Sequence, residues 1–141
     1  MRFFDASAVV KRYVREPGSA RVKRLLAGRE VAISRLSEVE VVSAFARLAR
    51  ENAISITQRD RAFAAFATDL TAWHVVEITS GVTTTALRLL LRHPLRSGDA
   101  VQVAAALELQ AGLGQPLEGF VTYDRRVIDA ARAEQLTVVA E

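Results

Sequence analysis

The sequence predicts an α/β fold, a three-layer sandwich in which helices cover both faces of a mostly parallel central sheet of about five short strands. Three observations predict it. Short apolar runs rich in Phe, Val and Ile alternate along the chain with stretches of helical periodicity, the order that yields a parallel sheet between helical layers. Two of those runs end at an acid, Asp5 after Phe3-Phe4 and Asp124 after Phe120-Val121-Thr122-Tyr123. Finally, residues 100–109 carry only Gln102 and Glu108 as polar positions, so they read as a helix covered by protein on most sides.

Taken in order, Arg2-Phe3-Phe4 is a first strand that delivers Asp5 at its C-terminal end. Asp5-Ala6-Ser7 opens a helix through Tyr13 and Val14 that stops before Pro17-Gly18, and a second runs from about 19 to 26 with Gly28 closing it. Val31-Ala32-Ile33 is the next strand. Ser37-Glu38-Val39-Glu40 matches a capping box, with Val41, Ala44, Phe45 and Leu48 following at helical spacing as far as Asn52. Thr57 is expected to cap a further helix to about 72, so that the two form a hairpin. Residues 74–78 make a third strand and residues 80–91 a helix that Pro94 terminates. The covered helix follows, with Ser97 as its N-cap and Asp99 in its first turn, where free backbone N–H groups favour an anion. After a loop at 112–116 come a strand at 120–122, a helix at 124–133 and an edge strand at 136–139.

At 141 residues the chain reads as one domain, 1–141, large enough for a core without disulfide or metal staples. It has no cysteine, which excludes zinc-thiolate sites, disulfides and thiol nucleophiles. No signal-peptide pattern appears at the start, and no apolar run approaches the ~18 residues of a membrane span. A cytoplasmic protein without membrane attachment is the expectation. The net charge of +3 favours an anionic partner, and the only lysines are Lys11 and Lys23, the other basic residues being Arg, whose forks suit phosphate. A GC-rich genome produces the same Arg bias, so charge supports an RNA partner without originating one.

Four acids share a pattern. Asp5 and Asp124 follow strands, Glu40 and Asp99 lie near helix starts after chain reversals, and in such sheets ligands bind outside the carboxyl ends of the strands. Each acid has a plainer reading: Glu40 as the return half of a capping box, Asp124 as an N-cap, Asp99 as a dipole partner. Together, though, four carboxylates facing one crevice repel unless a cation sits among them. Oxygen-only ligands select a hard ion, magnesium or manganese, which acidifies bound water and offsets charge on a scissile phosphate. His74 and His93 lack spaced partners and read as surface or core filler, and Trp73 and the six phenylalanines read as core.

With these residues in hand the chain resembles the PIN-domain family, and within it the VapC-type toxins of bacterial toxin–antitoxin pairs. The motifs are Phe4-Asp5-Ala6-Ser7, Ser34-Arg35-Leu36-Ser37-Glu38-Val39-Glu40, Leu95-Arg96-Ser97-Gly98-Asp99-Ala100 and Phe120-Val121-Thr122-Tyr123-Asp124. The resemblance implies a PIN-like fold and a metal-dependent endoribonuclease in which Asp5, Glu40, Asp99 and Asp124 hold Mg2+ or Mn2+, with Ser7 and Thr122 in support. It also implies a small antitoxin as partner, tRNA or rRNA as substrate, and a homodimer. Two positions depart from the pattern: Gln102 stands where the family often has His, and Gly98 where a larger apolar residue is usual. Neither removes a ligand, and both bear on substrate fit.

Two other classes meet the same residues less well. A phosphohydrolase of the haloacid-dehalogenase type needs a second acid two residues after Asp5 and another four after Asp99, where Ser7 and Val103 stand. A non-catalytic binding module, such as a phospho-accepting receiver, needs an acceptor Asp after the third strand, where the chain has Thr79-Ser80, and a disabled scaffold is expected to have lost an acid.

Overall fold

The computed structural model describes residues 1–139. β1 (Arg2–Phe4) holds the centre of the sheet because it is apolar on both sides: Phe3 and Phe4 point to opposite faces, as successive strand residues must, and both are fully buried. β2 (Val31–Ser34) and β4 (Gly119–Val121) flank it, with β3 (His74–Val76) outside β2 and β5 (Val138–Val139) outside β4. The order is β3-β2-β1-β4-β5 and every pairing is parallel, so the expected mostly parallel sheet is parallel throughout the described residues.

Two cores lie on the two faces. Phe4, Ile33 and Val121 pack with Val9 of α1 (Ala6–Tyr13), Val22 of α2 (Ser19–Leu26), Val41 and Phe45 of α3 (Arg35–Arg50) and Phe66 of α4 (Ile56–Leu70). Phe3, Ala32 and Phe120 pack with Val82 and Leu89 of α5 (Ser80–Arg92), Val103 of α6 (Ser97–Leu113) and Val127 of α7 (Arg125–Ala133). The rings of Phe3 and Phe120 stack at 5.5 Å between centroids, and full burial of each such side chain contributes about 1.5–3 kcal/mol. α6 is the covered helix the sequence predicts: no residue from 100 to 110 is exposed. It ends at Gly114, whose φ of +66° is a left-handed C-cap that L side chains rarely adopt.

The connections decide where a ligand can sit. From β1 the chain moves outward to β2 and β3, then returns through α5 and α6 to β4 on the other side of β1. The β1–β4 boundary is therefore the topological switch point, and the crevice opens beyond the C-terminal ends of these two strands.

Several expected element starts shift. Ser37 is not the cap of α3: β2 runs straight into the helix, so Ser34, the last strand residue, takes that place and accepts from the Leu36 N–H at 3.1 Å. Ser37 is instead buried inside the helix, and Glu40 sits in its second turn, freed from any capping box. Ser55 rather than Thr57 caps α4, in a reciprocal box with Gln58. α6 has Arg96 at its N-cap position and Ser97 as its first helical residue, with no side-chain cap bond. Phe63 is 52% exposed and stands outside the core, whereas the other five phenylalanines are buried. Nor is His93 filler, since its Nε2 lies 2.9 Å from Glu134 and ties α5 to the end of α7.

Candidate active site

Asp5 is fixed by the switch point itself. It ends β1 and caps α1, its Oδ1 accepting from the Ala8 N–H at 3.1 Å and from the Ser7 hydroxyl at 2.6 Å. Its Oδ2 accepts from Thr122, one residue past β4. Ser7 Oγ accepts in turn from the Tyr123 N–H at 3.1 Å and Thr122 Oγ1 from the Asp124 N–H at 3.2 Å. Ser7 and Thr122 thus lock the two strand ends together around one carboxylate. Asp5 is only 4% exposed. Burial pushes its pKa from 3.8 up to about 6, the three hydrogen bonds pulling the other way and the charge of Asp124 adding to the rise.

Asp124 caps α7, its Oδ1 accepting from the Arg126 N–H at 2.9 Å. Asp99 lies in the first turn of α6, and its Oδ2 is buried without a hydrogen bond. Glu40 reaches in from α3, where Gln102 Nε2 donates to its Oε1 at 3.0 Å and to Ser37 Oγ at 2.9 Å. Asp5, Ser7, Glu40, Asp99 and Asp124 all line one cavity of about 390 Å³, while Thr122 stands behind it, buried against Asp5.

The four acids share that cavity but do not close into a ligand shell: among the described residues, no three acidic or imidazole groups are drawn together tightly enough to enclose an ion. Like charges keep apart without a counter-ion, and here each is held separately, Glu40 by Gln102, Asp5 by two hydroxyls, Asp99 and Asp124 beside Arg96. The donor set fits a hard divalent cation all the same. Every candidate ligand is a carboxylate oxygen, and a buried carboxylate oxygen with no hydrogen-bond donor, as Asp99 Oδ2 is, costs free energy that an ion pair at 3.6 Å offsets only in part.

The cavity also holds residues that the reading of acids overlooked. Lys11, Arg47 and Arg96 line it, along with Glu16 and Tyr123. Lys11 is occupied, donating to Glu16 at 3.2 Å and to the Pro17 carbonyl at 2.7 Å, 4.5 Å from the centre of the Tyr123 ring. Arg96 was legible in one respect, standing three residues before Asp99 across one helical turn. Gly98 bears on Glu40: a Cβ there would stand 3.5 Å from Oε2, so Ala fits and a larger side chain would press on the carboxylate.

The model of the PIN domain matches residues 2–133. The chain belongs to the PIN domain family. It is 35% identical over 132 residues to ribonuclease VapC45 of Mycobacterium tuberculosis, a match spanning 93% of this chain and 89% of that protein. Among solved structures it superposes on M. tuberculosis VapC20, a sarcin-ricin loop cleaving toxin, with a TM-score of 0.69 at 19% identity over the whole of both chains. A toxin–antitoxin complex from Klebsiella pneumoniae gives a TM-score of 0.62 at 15% identity, covering 91% of this chain and 90% of that one. At such identities the likeness is one of fold, and it is the PIN domain fold that the chain adopts.

Proposed function

We propose that this PIN domain is the endoribonuclease toxin of a toxin–antitoxin pair, hydrolysing RNA phosphodiesters with a divalent cation, Mg2+ or Mn2+, held by Asp5, Glu40, Asp99 and Asp124. The observation that carries the reading is the meeting of these four acids at the switch-point cavity, one oxygen of Asp99 buried there without a donor. The relative named ribonuclease VapC45 supports the reaction class. When bound, the cation would supply Lewis acidity, lowering the pKa of a water and offsetting charge on the scissile phosphate. The chain's part is to orient its ligands: Ser7 and Thr122 fix Asp5, the α7 N-terminus fixes Asp124, and Gln102 fixes Glu40. No Cys exists to act as nucleophile, and neither histidine lines the cavity. Cleavage is therefore expected to leave a 5-prime phosphate and a 3-prime hydroxyl.

A tRNA and rRNA mixture incubated with the protein tests this directly. Cleavage is expected with magnesium and not with EDTA, and Asp5→Asn is expected to abolish it. Activity that survives EDTA, or a cyclic phosphate product, refutes the metal-water reading.

The proposal extends to a cytoplasmic homodimer neutralised by a small antitoxin, in line with the toxin–antitoxin complex that shares the fold. No described helix is long and apolar enough to cross a membrane. The α3–α4 hairpin offers the antitoxin the exposed Phe63 and the half-buried Val42 and Ala46, whereas Phe66 is buried in the core. A monodisperse monomer by light scattering at micromolar concentration rules out the dimer.

A further inference from the structure

The cavity already contains a cation, and it belongs to the chain. Arg96 Nε stands 3.6 Å from Asp99 Oδ2 and its Nη2 3.8 Å from Asp124 Oδ2, so one guanidinium spans acids from α6 and α7. Both distances are ion-pair contacts rather than hydrogen bonds, so the buried Asp99 Oδ2 is still without a donor. The Arg96 side chain is 75% exposed and makes no other ion pair among the described residues. An exposed pair of this kind is weak and readily exchanged. The other two cations of the cavity differ. Lys11 is tied to Glu16 and Pro17, and Arg47 forms no ion pair with a described residue, so Arg96 alone is interposed between two of the four acids.

We infer that Arg96 is a two-position residue: in the metal-free cleft it is the counter-ion of Asp99 and Asp124, and once a divalent cation takes those oxygens its guanidinium binds the RNA phosphate at the cavity mouth. The inference rests on the metal-centre reading above. It follows from charge and reach. A divalent cation and a guanidinium compete for the same two carboxylates, and the displaced guanidinium, anchored at the N-cap position of α6, remains beside the scissile position with its fork free for phosphate oxygens. Arg96 therefore lowers metal affinity and raises substrate affinity, two effects of opposite sign from one side chain. A merely structural surface arginine has neither.

Calorimetric titration of Mn2+ alone into the wild type, Arg96→Ala and Arg96→Lys provides the first arm. Arg96→Ala is expected to bind Mn2+ about fivefold more tightly, the order of one screened charge pair at such a separation. Arg96→Lys keeps the charge and is expected to stay near the wild-type affinity. In the second arm, with tRNA and rRNA as substrate at saturating Mn2+, Arg96→Ala is expected to raise KM about tenfold, the order of a charge-assisted hydrogen bond, with kcat changing less and Arg96→Lys recovering part of the loss. Metal affinity that is unchanged or weaker in Arg96→Ala overturns the counter-ion role, and an unchanged KM overturns the phosphate role. A wild type that binds no Mn2+ refutes the metal centre itself, a result separate from either.

Discussion

At the residue scale, Gln102 shows how an uncharged side chain can organise a charged site. It is 3% exposed in the middle of α6, a position where a polar group is costly unless fully bonded. Its amide meets that condition by donating to Ser37 and Glu40, which couples α6 to α3 in the wall of the cavity. Unlike an imidazole, the amide does not titrate, so it holds Glu40 the same way at every physiological pH. Gln102→Leu removes both donors while keeping much of the volume, and is expected to cost about 1–3 kcal/mol in urea denaturation with EDTA present. A double-mutant cycle with Ser37→Ala should return a coupling of at least about 0.5 kcal/mol; additive losses would show that the Ser37–Gln102 bond contributes nothing. The sequence made Gln102 visible as a lone polar residue on an apolar helix, but its partners lie 62 and 65 positions away and no local pattern names them.

At the scale of elements, strand ends were easier to read than helix starts. Asp5 and Asp124 were found from the sequence because an apolar run that stops at an acid marks both the strand and its outlet. Helix starts slipped where no loop intervenes: β2 passes into α3 without a break, so Ser34 serves strand and cap together, and the attractive Ser37-x-x-Glu40 pattern lies within the helix. A boxed Glu40 would be occupied by its own backbone instead of facing the cavity, as it does here. The tie between α1 and α4 was equally hidden. Arg12 Nε donates to Asp69 at 2.7 Å and the Tyr13 hydroxyl donates to the same carboxylate. Burial raises the Asp69 pKa, but the bonds from Arg12 and Tyr13 outweigh it and hold the group below its ordinary 3.8. A carboxylate depressed in the folded state stabilises above its unfolded pKa and loses that contribution as pH falls through the folded value. Asp69→Asn is accordingly expected to cost about 1–2 kcal/mol near neutrality, the order of a partly exposed charge-assisted bond, and much less near pH 3. Equal losses in urea melts at both pH values would mean that charge is not what holds α1 to α4.

At the scale of the molecule, the four acids come from both helical layers. Asp5 and Glu40 belong to the side of α1 and α3, Asp99 and Asp124 to the side of α6 and α7, and the layers touch directly where Gln102 of α6 meets Ser37 and Glu40 of α3. A cation shared among them would therefore be a further cross-link between layers, and its binding would be coupled to global stability. Without it, the fold carries the mutual repulsion of the acids, relieved in part by Arg96. In EDTA, Asp99→Asn is thus expected to melt above the wild type, since it removes a charge whose Oδ2 has no donor. Magnesium should reverse the order. At a hundredfold excess over its dissociation constant a ligand adds about 2.7 kcal/mol to the state that binds it, and the wild type gains this while the variant, missing one ligand oxygen, gains far less. The alternative makes the opposite forecast: were Asp99 only a partner of the α6 dipole, removing its charge would cost about 0.3–1 kcal/mol with or without the ion. Melting curves of the two proteins in EDTA and in magnesium separate these cases. A variant less stable than the wild type in EDTA, with the same magnesium response, would mean that the two layers are not joined through one site, and the reading of this PIN domain as a metal-dependent nuclease would lose its physical basis.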